Sequence, residues 1–213
     1  MPLPSEYMKL VKAVIGVVAI VNPLGAIPVF LSLAESKSRN ERSRIARVAA
    51  IAVGVILILS AWIGEFILAF FGITISALRI GGGLLIVLMS IDMLHSRMSG
   101  ARHTDEEAAE AQGKEDIAVV PLAIPLMAGP GAISLVIVNA HQAGTWEGRL
   151  LFTLGIAVVS IIVWAVLHLA DPLGRALGVT GLNIATRIMG LLLAAIGVQF
   201  IVMGLLKLFP GLA

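Results

Sequence analysis

Residues 19–28 read AIVNPLGAIP, and residues 125–134 read PLMAGPGAIS. Each passage sets Pro and Gly in the middle of an apolar stretch. Gly25-Ala26-Ile27 recurs as Gly131-Ala132-Ile133, an offset of 106 residues that also carries Glu65 onto Asp171 and Gly72 onto Gly178. After two residues of slippage, Arg79-Ile80 maps onto Arg187-Ile188. The chain is written twice. An apolar segment interrupted at the same place in both copies is the sequence-level pointer to a binding site in membrane transporters.

Composition says that water is not the main solvent. Of 213 residues, 59% are hydrophobic and only 13% charged, with a mean hydropathy of +1.02; a soluble domain keeps roughly 25% charged residues. Apolar runs long enough to cross ~30 Å of hydrocarbon occur at about 8–34, 46–70, 77–95, 117–140, 150–170 and 182–207. The expected fold is therefore all-α, a polytopic membrane protein of six transmembrane helices, with the first and fourth spans discontinuous. There is no Cys, so disulfides and thiolate sites are excluded. The start, MPLPSEYMKL, lacks the pattern of a cleaved signal peptide, and the first span is expected to be retained.

Basic residues in short loops mark the cytoplasmic side. The loop after the first run holds Lys37, Arg39, Arg42, Arg44 and Arg47; the third connection holds Arg97, Arg102 and Lys114; the fifth holds Arg175. Leaving aside Arg79 and Arg187 at span ends, the other side receives only Lys9, Lys12, Arg149 and Lys207. This bias predicts a bacterial inner membrane protein with both termini periplasmic. Three spans per copy is an odd number, and the linker 96–116, with six acids and few apolar residues, does not cross. The second copy must then enter from the opposite face, giving an inverted repeat. The expected parts are a first repeat at 1–95, a polar cytoplasmic linker at 96–116 carrying a short helix at 106–112, and a second repeat at 117–213.

The breaks supply the candidate site. Pro23 and Pro28 have no N–H and release the carbonyls of Ala19 and Leu24; in lipid, such groups must be satisfied by protein or line a polar cavity. Gly25 allows close approach, and Asn22 offers an amide that both donates and accepts. Pro121, Pro125, Gly129, Pro130 and Gly131 repeat the theme, followed by Ser134. The predicted substrate-binding residues are Asn22, Pro23, Gly25, Pro28, Gly129, Pro130, Gly131 and Ser134. Helix halves that meet at such breaks suit the carboxylate and ammonium of a zwitterion.

Two ion pairs are expected as gates, because a charge in hydrocarbon costs ~3 kcal/mol or more and calls for a partner. Glu65 and Arg79 face each other across one short turn, as do Asp171 and Arg187. Gly81-Gly82-Gly83 and the series Gly190, Gly197, Gly204 predict close helix packing or an oligomer surface. Four scattered His residues show no metal-ligand spacing. No motif for enzyme chemistry, phosphate cradling or a bound cofactor occurs. The net charge of +2 gives no pointer to nucleic acid.

At NPLGAIPVF (22–30), PLAIPLMAGPGAIS (121–134), RIGGGLLI (79–86) and RIMGLLLAAIGVQF (187–200), the chain resembles the MarC family of bacterial inner membrane proteins. The resemblance implies six transmembrane helices and groups the chain with transporters of small neutral amino acids. The expected partners are a small-molecule substrate, the bilayer and a coupling ion, either H⁺ or Na⁺. The alternatives are transport of another metabolite, lipid carrier or drug, or a membrane scaffold that transports nothing.

Overall fold

Ser38, Thr74 and Thr145 each place a hydroxyl just before an apolar run, where it can accept from the otherwise unpaired N–H groups of a first helical turn. Each opens a helix in the computed structural model, which describes residues 5–95, 118–209 and 211. Ser38 caps α3 (Arg39–Phe70), and Glu41 reaches back to the Ser38 N–H in a capping box. Thr74 caps α4 (Ile75–Leu94) and Thr145 caps α7 (Trp146–His168). The other elements are α1 (Ser5–Val21), α2 (Pro23–Leu33), α5 (Ala118–Met127), α6 (Pro130–Gln142) and α8 (Ala170–Leu208). All elements among the described residues are helical. The linker 96–116, with its expected short helix, lies outside them.

Five stretches are long and apolar enough to cross a membrane: Met8–Leu33, Arg39–Phe70, Ile75–Leu94, Trp146–His168 and Ala170–Leu208. The fourth apolar run of the sequence, read as 117–140, is present as two pieces, α5 and α6, of 10 and 13 residues. Neither piece alone reaches the ~20 residues of a spanning helix. The last two runs also differ from expectation. What reads as a loop after residue 170 is already the start of α8, which runs on through a kink at Gly178 (φ 61°, ψ −179°). That left-handed backbone suits Gly, which carries no Cβ.

Helices from the two halves of the chain pair antiparallel. Along α3 and α7, Ser43 meets His168, Gly54 lies against Ser160, the Trp62 indole N–H donates to Thr153 at 3.0 Å, and Glu65 meets Arg149. Along α4 and α8 the contact runs over glycines seven residues apart. A Cβ on Gly190 would lie 3.0 Å from Met93 Cβ, one on Gly197 2.7 Å from Val87 Cγ2, and one on Gly204 2.9 Å from the Ser76 carbonyl. At these distances only hydrogen fits, so the two backbones approach as small-residue helix faces in membranes do. Gly82, Gly83, Gly190, Gly197 and Gly204 are thus packed within the chain, whereas Gly81 has nothing within 4 Å. Between the paired helices, α1, α2, α5 and α6 form the centre, where Val17, Ile20, Ile27, Phe30, Leu122, Met127, Ala132 and Val136 are buried.

Candidate functional site

Asn22 breaks the first apolar run. Its backbone is left-handed (φ 45°, ψ 63°) and it is the one non-Gly residue at positive φ among the described residues. Asn tolerates that conformation because its short amide bonds locally. Here Oδ1 accepts from Gly25 N at 3.2 Å and caps α2, whose first residue is Pro23. Pro suits a first helical position, where its missing N–H would have had no partner. Asn22, Pro23 and Gly25 are buried. Pro28 lies inside α2, which continues through it, and its ring is on the exposed side of the helix. The first run is therefore broken once, at Asn22, and Pro28, expected to bind substrate, lies on the exposed side of α2.

The second break has the same outline and a different cap. α5 is wound in wide turns, closed by an i→i+5 bond from Ala128 N to the Ala123 carbonyl at 2.9 Å. Pro121 and Pro125 cannot donate in a normal α ladder, and wide turns of this kind concentrate at functional sites. α6 then starts at Pro130 with Gly129 as N-cap, and no side chain caps it. Pro130 has no N–H, and the Ile133 N–H is taken by the Gly129 carbonyl at 3.1 Å. The donor end of the helix thus rests on Gly131 and Ala132, both buried. Gly129 and Ser134 are buried as well, the Ser134 hydroxyl donating to the Pro130 carbonyl at 2.9 Å. Pro130 itself is exposed, so its ring, like that of Pro28, points away from the interior.

The two breaks lie side by side. A Cβ on Gly131 would stand 3.2 Å from Ile20 Cδ1, two residues before Asn22, and also 2.8 Å from Met89 Sδ and 3.6 Å from Ile86 Cγ1 of α4. One turn later, a Cβ on Gly82 would lie 2.6 Å from Ser134 Cβ. α4 therefore forms an apolar wall over the α6 break, a role that the sequence did not signal for Met89. Depth follows from helix rise. α2 runs from the first break to one end of the bundle over ~16 Å, and α6 runs from the second break to the other over ~20 Å, at 1.5 Å per residue. The ends themselves, Arg42 and Glu65 on α3, are ~35 Å apart by the same measure. Both interruptions sit near mid-depth.

The expected gates are built differently. Asp171 pairs with Arg42, at 3.0 and 3.3 Å from Nη1, instead of Arg187. Glu65 pairs with Arg149 (Nη2 to Oε2, 2.8 Å) and His141 (Nδ1 to Oε1, 2.8 Å), instead of Arg79. The reason is the antiparallel pairing of α3 and α7, which lays the start of each beside the end of the other. Each clasp thus joins the two halves of the chain rather than closing a turn within one. Arg79 packs instead against Gly204 of α8, its Nε buried without a hydrogen-bond partner. Arg187 lies on α8 beyond the kink. His168, one turn before Asp171, stacks on Trp164 at 5.4 Å and faces Ser43. Arg42 was hidden in sequence among five basic residues. Arg149 had one signal, as the lone basic residue of its connection. Among the described residues, no cluster of metal-binding side chains occurs.

Comparison with known proteins gives the same outline. The chain is 41% identical over 201 residues to the UPF0056 membrane protein YhcE of Escherichia coli, covering 94% of each. It is 40% identical to the UPF0056 membrane protein MJ1677 of Methanocaldococcus jannaschii, over 89% of this chain and 92% of that one. A UPF0056 membrane protein of Aquifex aeolicus is 37% identical over 93% of this chain and 92% of that one. No solved structure matches. The MarC family, described as integral membrane proteins, matches residues 7–209. With several apolar helices of spanning length and that match over nearly its whole length, the chain is an integral membrane protein and belongs to the MarC family.

Proposed function

We propose that this protein is a secondary transporter of small neutral amino acids such as glycine or alanine, working as an exporter or exchanger. It crosses a bacterial inner membrane six times, as two oppositely oriented three-helix halves related by a pseudo-two-fold axis in the membrane plane, with both termini periplasmic. The antiparallel pairing of α3 with α7 and of α4 with α8 supports that symmetry, since in both pairs the sequence copies lie against each other: Gly54 and Ser160 are 106 residues apart and in contact. The basic loop 35–47 supports the orientation.

The observation that carries the reading is the meeting of two buried, interrupted helices near mid-depth, one of them without a side-chain cap. Helix N-termini present N–H groups and a partial positive charge to anions. The substrate carboxylate binds the N–H groups of Gly131 and Ala132. Its ammonium turns to the α1–α2 break, where the Ala19 carbonyl has lost its helical donor to Pro23. No acid lies between residues 7 and 33 or between 118 and 142, so main-chain polarity does the binding, as in discontinuous transporter helices. Met89, Ile20 and Ile86 against Gly131 leave room for a small side chain only. The halves rock about this site, and the end clasps open in turn. A proton or sodium gradient drives the cycle.

The test is flux. Purified protein in liposomes takes up or exchanges labelled glycine and alanine, and Gly131→Leu abolishes it. Absence of uptake, exchange and binding under both proton and sodium gradients contradicts the reading.

A further inference from the structure

The two end clasps differ in what their arginines have left to give. Arg42 is spent: Nη1 holds both Asp171 oxygens, Nε donates to the Lys37 carbonyl at 3.1 Å, and Nη2 to the Glu35 carbonyl at 2.9 Å. Arg149 makes one hydrogen bond among the described residues, from Nη2 to Glu65. Most of its five N–H donors therefore have no acceptor among the described residues. Arg149 lines, together with Gly144, Thr145 and Trp146, a cavity of about 160 Å³, several times the ~30 Å³ that a water occupies in the liquid. Trp146 meets Trp62 edge to face at 4.7 Å, and Arg149 stands 5.9 Å over the Trp62 ring. These contacts fix the aromatic wall and the guanidinium together. Glu65 remains 41% exposed beside them.

We propose that this cavity is a second binding site for zwitterionic amino acids. The ligand's carboxylate takes the unspent donors of Arg149, its ammonium takes Glu65, and the bond between Glu65 and Arg149 is exchanged for two charge-assisted ones. An α-amino acid carries on one carbon the same two charges that the pair presents, so it fits where a lone anion or cation satisfies only one partner. The exchange breaks the Glu65–Arg149 bond between α3 and α7, while the Trp62–Thr153 bond and the Trp62–Trp146 contact keep the two helices together at that end. Unlike the central site, the cavity is open beside an exposed Trp146, so it accepts large neutral side chains as well as small ones. The choice of ligand class rests on the proposed transport of amino acids.

The chain has no Cys, so Thr145→Cys gives a single thiol in the wall of the cavity. Its rate of alkylation in detergent is the readout. Glycine and leucine are expected to slow labelling at least threefold, and acetate and glycinamide to leave it unchanged. Adding Glu65→Gln or Arg149→Gln removes the protection. Thr145 caps α7, so a second measurement spares it: in Trp164→Phe only Trp62 and Trp146 remain, and their fluorescence responds to the same ligands. No protection by any amino acid overturns the site, and equal protection by acetate or by glycinamide reduces it to a simple ion site and overturns the zwitterion claim. Flux in the wild type without protection defeats this inference alone. Protection without flux defeats the transport reading and leaves this site standing.

Discussion

The two breaks are cut from the same sequence pattern and finished differently. At the first, Asn22 folds its amide back onto Gly25 N and closes the start of α2 from within the chain. At the second, Gly129 has nothing to fold back, and α6 begins at Pro130 with no side-chain cap. A buried helix start must have its donors satisfied. The first break meets one of these donors with a side chain, and under the proposed function the second leaves its donors to the substrate. The pair of breaks thus differs in its caps: the first is closed by the Asn22 amide, and the second has no side-chain cap.

The harshest way to break the comparison is to fill the second break. Gly131→Leu drives a side chain into Met89, Ile20 and Ile86; it is expected to abolish flux and to cost about 1–3 kcal/mol as an overpacked core, read as a fall in Tm. The matching blow at the first break is Asn22→Ala. It removes a cap worth about 1 kcal/mol and leaves Ala in a left-handed backbone at a further ~1 kcal/mol. Asn22→Gly separates the two causes. Gly accepts the backbone and costs only a few tenths of a kcal/mol at a cap, so Tm is nearly retained and transport survives. Equal losses in Ala and Gly variants would mean that the amide, and not the backbone, is what matters.

The comparison sharpens when the second break is made like the first. Gly129 has an ordinary extended backbone (φ −75°), so Ser there brings no backbone strain. Gly129→Ser supplies the missing cap. It is expected to raise Tm slightly and to weaken alanine binding about tenfold, since ~1.4 kcal/mol of donor capacity is now met from within. A rise in both stability and affinity would say that the α6 start is not the carboxylate site. The mildest change is Met89→Ala, which thins the wall over Gly131. The ratio of valine to alanine flux is expected to rise about tenfold, in line with what one or two methylenes are worth in an apolar pocket. An unchanged ratio would remove Met89 from the size filter.

Both breaks and the helical class were legible from residues, because Pro and Gly act through their own backbone and need no distant partner. Asn-Pro-Leu-Gly and Gly-Pro-Gly say where a helix stops. The close packing of Gly190, Gly197 and Gly204 was readable for the same reason, from a seven-residue period. Three things were not. The wide turns of α5 follow from how Pro121 and Pro125 share a short helix with its neighbours, and spacing alone gives only a kink. The kink at Gly178 replaced an expected loop, since a helix that resumes after one residue leaves no polar linker to notice. The two acids were paired with the wrong arginines. Proximity in sequence favoured Arg79 and Arg187, while the partners in space, Arg149 and Arg42, are 84 and 129 residues away from their acids. Antiparallel packing of α3 and α7 sets those pairs, and nothing local to either acid reports it.

The most direct measurement is hydrogen–deuterium exchange across residues 18–36 and 126–136, with and without alanine. The account predicts that alanine slows exchange at Gly131 and Ala132 while leaving Gly25, already bonded to Asn22, unchanged. Alanine that binds measurably and yet protects neither amide of the α6 start would contradict it.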